Sequence, residues 1–195
     1  MPNFYYNLPS DYKLKKEIDA TNKKTGIIFN LFAFVIMVIV IVGFYFIKKI
    51  KIIFNEENLG RYYIATIVFL ISMILYVILH ELVHGIAYKT LTKQKLTFGL
   101  TLTCAFCGVP NIYTTRKTSL IALLSPFTVF TVAFGLLVGF MPNDIIGLYA
   151  IILLAIHIGG CIGDLYCTYL LLFKLPKNTI INDTGPKQTF YVKEN

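Results

Sequence analysis

Thirty residues, from Tyr62 to Leu91, are nearly all Ile, Leu, Val, Phe, Met and Tyr, and the last third of the run carries His80-Glu81-Leu82-Val83-His84. An apolar run of that length is what a helix needs to cross the roughly 30 Å hydrocarbon layer of a bilayer. Three ionisable groups deep inside such a helix are costly in lipid unless something holds them. Two imidazoles at i and i+4 stand on one face of a helix, as a Zn2+ ion requires. The carboxyl of Glu81 lies beside that face, where it could take a proton from a water that the ion activates. A metal pair, His80 and His84, with Glu81 as general base therefore accounts for all three groups.

The rest of the chain has the same character. It is 56% hydrophobic and 14% charged over 195 residues, with mean hydropathy +0.70. That is more apolar surface than a soluble domain can hide. Apolar stretches over about 26–47, 119–140 and 145–175 join the run that starts at Tyr62. The expected fold class is an all-α membrane protein of about four transmembrane helices, with a short membrane-associated β-hairpin or strand loop after the second. Residues 1–25 form a basic juxtamembrane segment, either a short interfacial helix or a loose tail. Residues 26–175 form the membrane domain, and 176–195 a polar tail that is extended and mobile. No cleavable leader is expected, because the first apolar run is itself long enough to span.

The 18 Lys and Arg against 10 Asp and Glu set a formal charge of +8. These basic residues flank the spans instead of forming one patch, so anionic lipid headgroups explain them and nucleic acid does not. With both termini on the cytoplasmic side of the cell membrane, 14 of the 18 fall on that side. The positive-inside rule selects this multi-pass, N-in and C-in arrangement.

A catalytic zinc takes three protein ligands and leaves a fourth position open. Downstream of the motif the carboxylates are Asp144, Asp164, Asp183 and Glu194, and only Asp164 lies well inside an apolar stretch. His80 stands about 18 residues into the second span and Asp164 about 19 into the fourth, roughly 27–29 Å along helices that run the same way. Asp164 is thus the expected third ligand. His157, seven residues earlier, is either a relay, substrate contact or gate, or a hydrogen-bonded core histidine. Tyr76, Tyr88 and Asn111 are candidates to orient a ligand or touch substrate. Thr97, Phe98, Gly99, Leu100, Thr101, Leu102 and Thr103 alternate apolar and polar, the pattern of a half-buried strand. Such a strand could offer its edge to an extended peptide, or simply cap the helices. Cys104 and Cys107 form a CxxC pair, either a second metal or redox site or two small buried side chains.

His80-Glu81-Leu82-Val83-His84, Ser125-Pro126 and Gly163-Asp164, with His157 ahead of it, together resemble the site-2 protease class of intramembrane zinc metalloproteases. They look more closely like a small bacterial family of membrane proteins classed with the zincin peptidases. The resemblance covers a core over 62–173. It implies Zn2+ held by His80, His84 and Asp164, Glu81 driving water attack on a peptide bond near the cytoplasmic face, and the 97–103 strand near substrate. The implied partners are lipid and a membrane-bound or membrane-proximal protein or peptide substrate. A non-hydrolytic membrane metal-binding protein, with zinc stapling helices and the chain serving as a partner-binding module, is the alternative. The site-2 pattern has aspartate before glycine, whereas here Gly163 precedes Asp164.

Overall fold

The computed structural model describes residues 2–53, 55–101 and 104–194. Its helices follow the apolar runs: α1 (Lys23–Lys48), α2 (Glu56–Thr92), α3 (Arg116–Phe140), α4 (Ile145–Gly160) and α5 (Ile162–Tyr169), the last continued by a π-helical turn over Leu170–Lys174. α1, α2 and α3 are each long and apolar enough to cross a membrane, and α4 with α5 makes a fourth crossing if the broken pair is one span. The break falls at Cys161, between Gly159-Gly160 and Gly163. Glycine is among the poorest helix formers, so three in five residues weaken the ladder there. Asp164 therefore sits in the first turn of a new helix.

The polar segments are not helical or loose. β1 (Phe4–Tyr5), β2 (Tyr12–Asp19), β5 (Tyr113–Thr115), β6 (Ile180–Asp183) and β7 (Lys187–Lys193) form one antiparallel sheet in the order β1-β5-β6-β7-β2. This corrects the all-α expectation and both readings of residues 1–25. It also corrects the mobile C-terminal tail: 180–193 is extended, but it is paired and partly buried. Strands whose partners lie up to about 180 residues away leave little local signal, because what stabilises them is cross-strand packing. In β2 a bulge at Lys15 further breaks the alternation and, with the flanking lysines, blunts an edge strand.

Residue contacts group the chain into two compact units: residues 1–29, 80–126 and 163–195, and residues 30–79 and 127–162. In the first, Ile181 and Phe190 of the sheet pack on Leu123, Cys167, Leu170 and Leu171. A second cluster joins Tyr88, Val109, Ile112 and Ala122. Lys16 stays half-buried by reaching Tyr166, with Nζ donating to Oη at 2.9 Å. The first unit also holds a hairpin of β3 (Thr97–Leu100) and β4 (Ala105–Gly108), with Phe98 paired to Cys107. It runs back beside α2: a methyl group on Gly85 would lie 2.7 Å from the Phe98 ring. Gly85 is seven residues before the end of α2, about 10 Å along its axis. The Phe106 ring fits between Gly99 and Gly185, and Gly185 has φ +103, a conformation that side chains disfavour.

In the second unit Ile50, Val138, Ala150, Ile151 and Leu154 form the core. Gly159 lets α1 approach so closely that a methyl there would meet Met37 at 2.7 Å. Asp144 caps α4 through Ile146 N–H, and Arg61 pairs with it at 3.0 Å. Large apolar side chains such as Ile39, Phe46, Ile64 and Ile74 are more than half exposed along α1 and α2, as lipid-facing residues are.

Phe190 is fully buried in β7, so Phe190→Ala should cost about 3–5 kcal/mol by emptying that core. A detergent-solubilised variant should show a lowered Tm in a thermal scan. An unchanged Tm would mean the C-terminal sheet does not pack as described.

Candidate metal centre

α2 is regular through its last third, so His80 and His84 project from one face, with ring centroids 5.0 Å apart. Asp164 comes to them from the first turn of α5, where a helix N-terminus favours a carboxylate. Its Oδ2 lies 3.5 Å from His80 Nε2 and 3.3 Å from His84 Nε2. The three ligand atoms all fall within 4.8 Å of one another. His84 Nδ1 is 2.9 Å from the carbonyl oxygen of Ala122. A carbonyl only accepts, so Nδ1 carries the hydrogen, and Nε2 is the nitrogen left to serve an ion. Both imidazoles are buried, while Glu81 and Asp164 are half-buried. Two imidazole nitrogens and one carboxylate oxygen, with the tautomer of His84 already set, fit a zinc ion that keeps an open position.

The other candidates are placed differently. Tyr88 is one turn beyond His84, and its hydroxyl donates to Asp183 Oδ2 at 2.6 Å. Asp183 also accepts the Gly185 N–H at Oδ1, and its backbone oxygen accepts the Val109 N–H. This buried carboxylate links α2, the exit of β4 and the β6–β7 turn. Sequence reasoning passed over it because it lies outside every apolar run. Tyr76 and His157 belong to the second unit. There the Tyr76 hydroxyl is 3.1 Å from His157 Nδ1, and Thr131 and the Phe127 carbonyl stand at Nε2. His157 is fully buried and ringed by Phe127, Phe130 and Phe134, the setting of a hydrogen-bonded core histidine. Asn111 is exposed in the turn between β4 and β5, so its side chain does not orient a buried imidazole.

Of the 97–103 stretch, Thr97–Leu100 forms β3, Thr101 closes a turn with Cys104, and Leu102 and Thr103 lie outside the described residues. β3 is covered on one edge by β4. Cys104 and Cys107 are free thiols. Among the described residues, neither joins a group of ligand atoms close enough to share an ion.

Burial pushes the Cys107 thiol up to about 12. At pH 8 it should therefore be alkylated at least about tenfold more slowly than half-buried Cys104, as peptide mapping after iodoacetamide would read. Burial likewise pushes Asp183 up to about 6 from the ordinary 3.8. A raised folded-state value means that this contribution to stability is fully present below 3.8 and lost as pH rises through about 6. Between pH 4 and 7 the Tm of the wild type should accordingly fall relative to Asp183→Asn.

Comparison with protein-family profiles matches residues 73–180, more than half of the chain, to the family described as "Putative zincin peptidase". Neither the comparison with curated proteins nor that with solved structures returned a match. The matched segment contains His80, Glu81, His84 and Asp164. The cofactor of a zincin peptidase is zinc, which the clustered donors suit. On these grounds the chain belongs to the family described as "Putative zincin peptidase".

Proposed function

We propose that this chain is a membrane zinc peptidase that hydrolyses a peptide bond at or just inside the cytoplasmic face, with His80, His84 and Asp164 holding the ion and Glu81 as general base. The observation that carries the reading is the convergence of two imidazoles and a carboxylate, with Glu81 next in sequence to one of them. When bound, zinc supplies a Lewis acid that polarises a carbonyl and brings the pKa of a coordinated water towards neutrality. Glu81 takes the proton of the attacking water and returns it to the leaving amine nitrogen.

A helical substrate hides its carbonyls in its own hydrogen bonds, so it must be extended before attack. The hairpin beside α2 supports strand addition as the way to hold it. The location is supported by the apolar helices and by the sheet. That sheet draws strands from the N-terminal segment, the loop before α3 and the C-terminal segment, which carry most of the basic residues. The site-2 protease class offers a mechanistic parallel for such an arrangement.

Glu81→Gln should retain zinc while peptide hydrolysis falls by about 10²–10⁴-fold, measured by elemental analysis and cleavage of a membrane-proximal peptide library. Undiminished cleavage would remove Glu81 from the mechanism. Asp164→Ala should lose bound zinc, and a full complement of zinc in that variant would refute the ligand set. Wild-type protein that holds zinc with four protein ligands and cleaves nothing would favour a structural, partner-binding metalloprotein.

A further inference from the structure

Pro126 lies in the interior of α3, ten residues from its start, and is fully buried. In a regular helix the N–H of residue 126 would serve the carbonyl of residue 122. Proline has no N–H to give, and its ring crowds that same carbonyl and tilts it off the helix axis. A buried carbonyl left without a donor costs about 1–3 kcal/mol, so a partner must come from outside α3. The partner is His84, whose Nδ1–H donates to Ala122 O at 2.9 Å. Ala122 is itself fully buried and packs in the cluster with Tyr88, one turn from His84.

We propose that Pro126 is a positioning residue for the metal centre: by releasing the Ala122 carbonyl, it supplies the acceptor that holds His84 with Nδ1 protonated and Nε2 turned to the ion. The proposal rests on zinc binding by His80, His84 and Asp164, and not on peptide hydrolysis. Ser125 provides the control. Its hydroxyl donates to Ile121 O at 2.5 Å, the carbonyl next to the released one and about 100° around the helix. Removing that hydroxyl disturbs the same turn and leaves the acceptor of His84 alone.

The test is zinc affinity of the full-length protein in lipid nanodiscs, read by competition with a chelator. Pro126→Ala restores an N–H that competes for the Ala122 oxygen. Its zinc Kd should weaken by about 10–100-fold, the usual loss when a ligand's orienting partner is removed, whereas Ser125→Ala should stay within about twofold. Histidine-15N NMR of the zinc-loaded wild type adds a measurement that needs no variant. One zinc-bound ring should show a protonated Nδ1 shielded from solvent exchange. Pro126→Ala affinity within twofold of wild type, equal losses in the two variants, or zinc-bound rings coordinated through Nδ1 would each overturn the proposal. If the affinities change as expected and no peptide is cleaved, only the peptidase reading falls.

Discussion

A carboxylate held 3.3–3.5 Å from two imidazole nitrogens, on helices otherwise built of apolar residues, is the constraint that the first unit is arranged around. Charges in such surroundings persist only when paired or bound to a metal. Meeting that demand needs a regular α2 through His80 and His84, and a helix that restarts so that Asp164 falls in a first turn. It also needs an acceptor that decides which nitrogen of His84 is free. The glycines around Cys161 supply the restart, and a proline in α3 supplies the acceptor. Each of these residues weakens a helix where it stands, and each weakness falls beside one of the clustered side chains.

The sheet and hairpin serve the same centre from outside the helices. The β6–β7 turn packs against β4 through Gly108 and Gly185, where no side chain would fit. Asp183 ties that turn to Tyr88 on α2 and to the backbone of Val109. Burying a carboxylate in this way is expensive, and the same burial pushes its pKa up. A polar network of this kind is stable only when every member is satisfied, and Asp183 accepts at both carboxylate oxygens. The chain's two ends thus contribute to the surroundings of a motif near its middle.

Legibility in the sequence tracked the range of the interaction. His80 and His84 were readable because a helix places i and i+4 together whatever else the chain does. Asp164 was reachable by a weaker route, since counting residues along two spans gives a depth but not an orientation. The fixing of His84 was half visible. Pro126 announces a freed carbonyl, but which side chain takes it depends on how α3 lies against the end of α2. Asn111 was legible as a turn residue and no further, because turn chemistry says where the chain reverses and nothing about what the turn faces. β2 and the C-terminal strands were missed because lysines and a bulge obscure their alternation and their partners lie at the opposite end of the chain.

By itself the sequence determined the helices, their apolar character and the imidazole pair, all of which follow from neighbours within a few residues. Tertiary structure alone decided that the termini form a sheet and that Asp183 is buried against Tyr88. It alone decided too that the backbone carbonyl of Ala122 meets His84. The reason is physical: backbone donors and acceptors are the same at every residue, so nothing in the order of side chains marks the few that a distant segment will use.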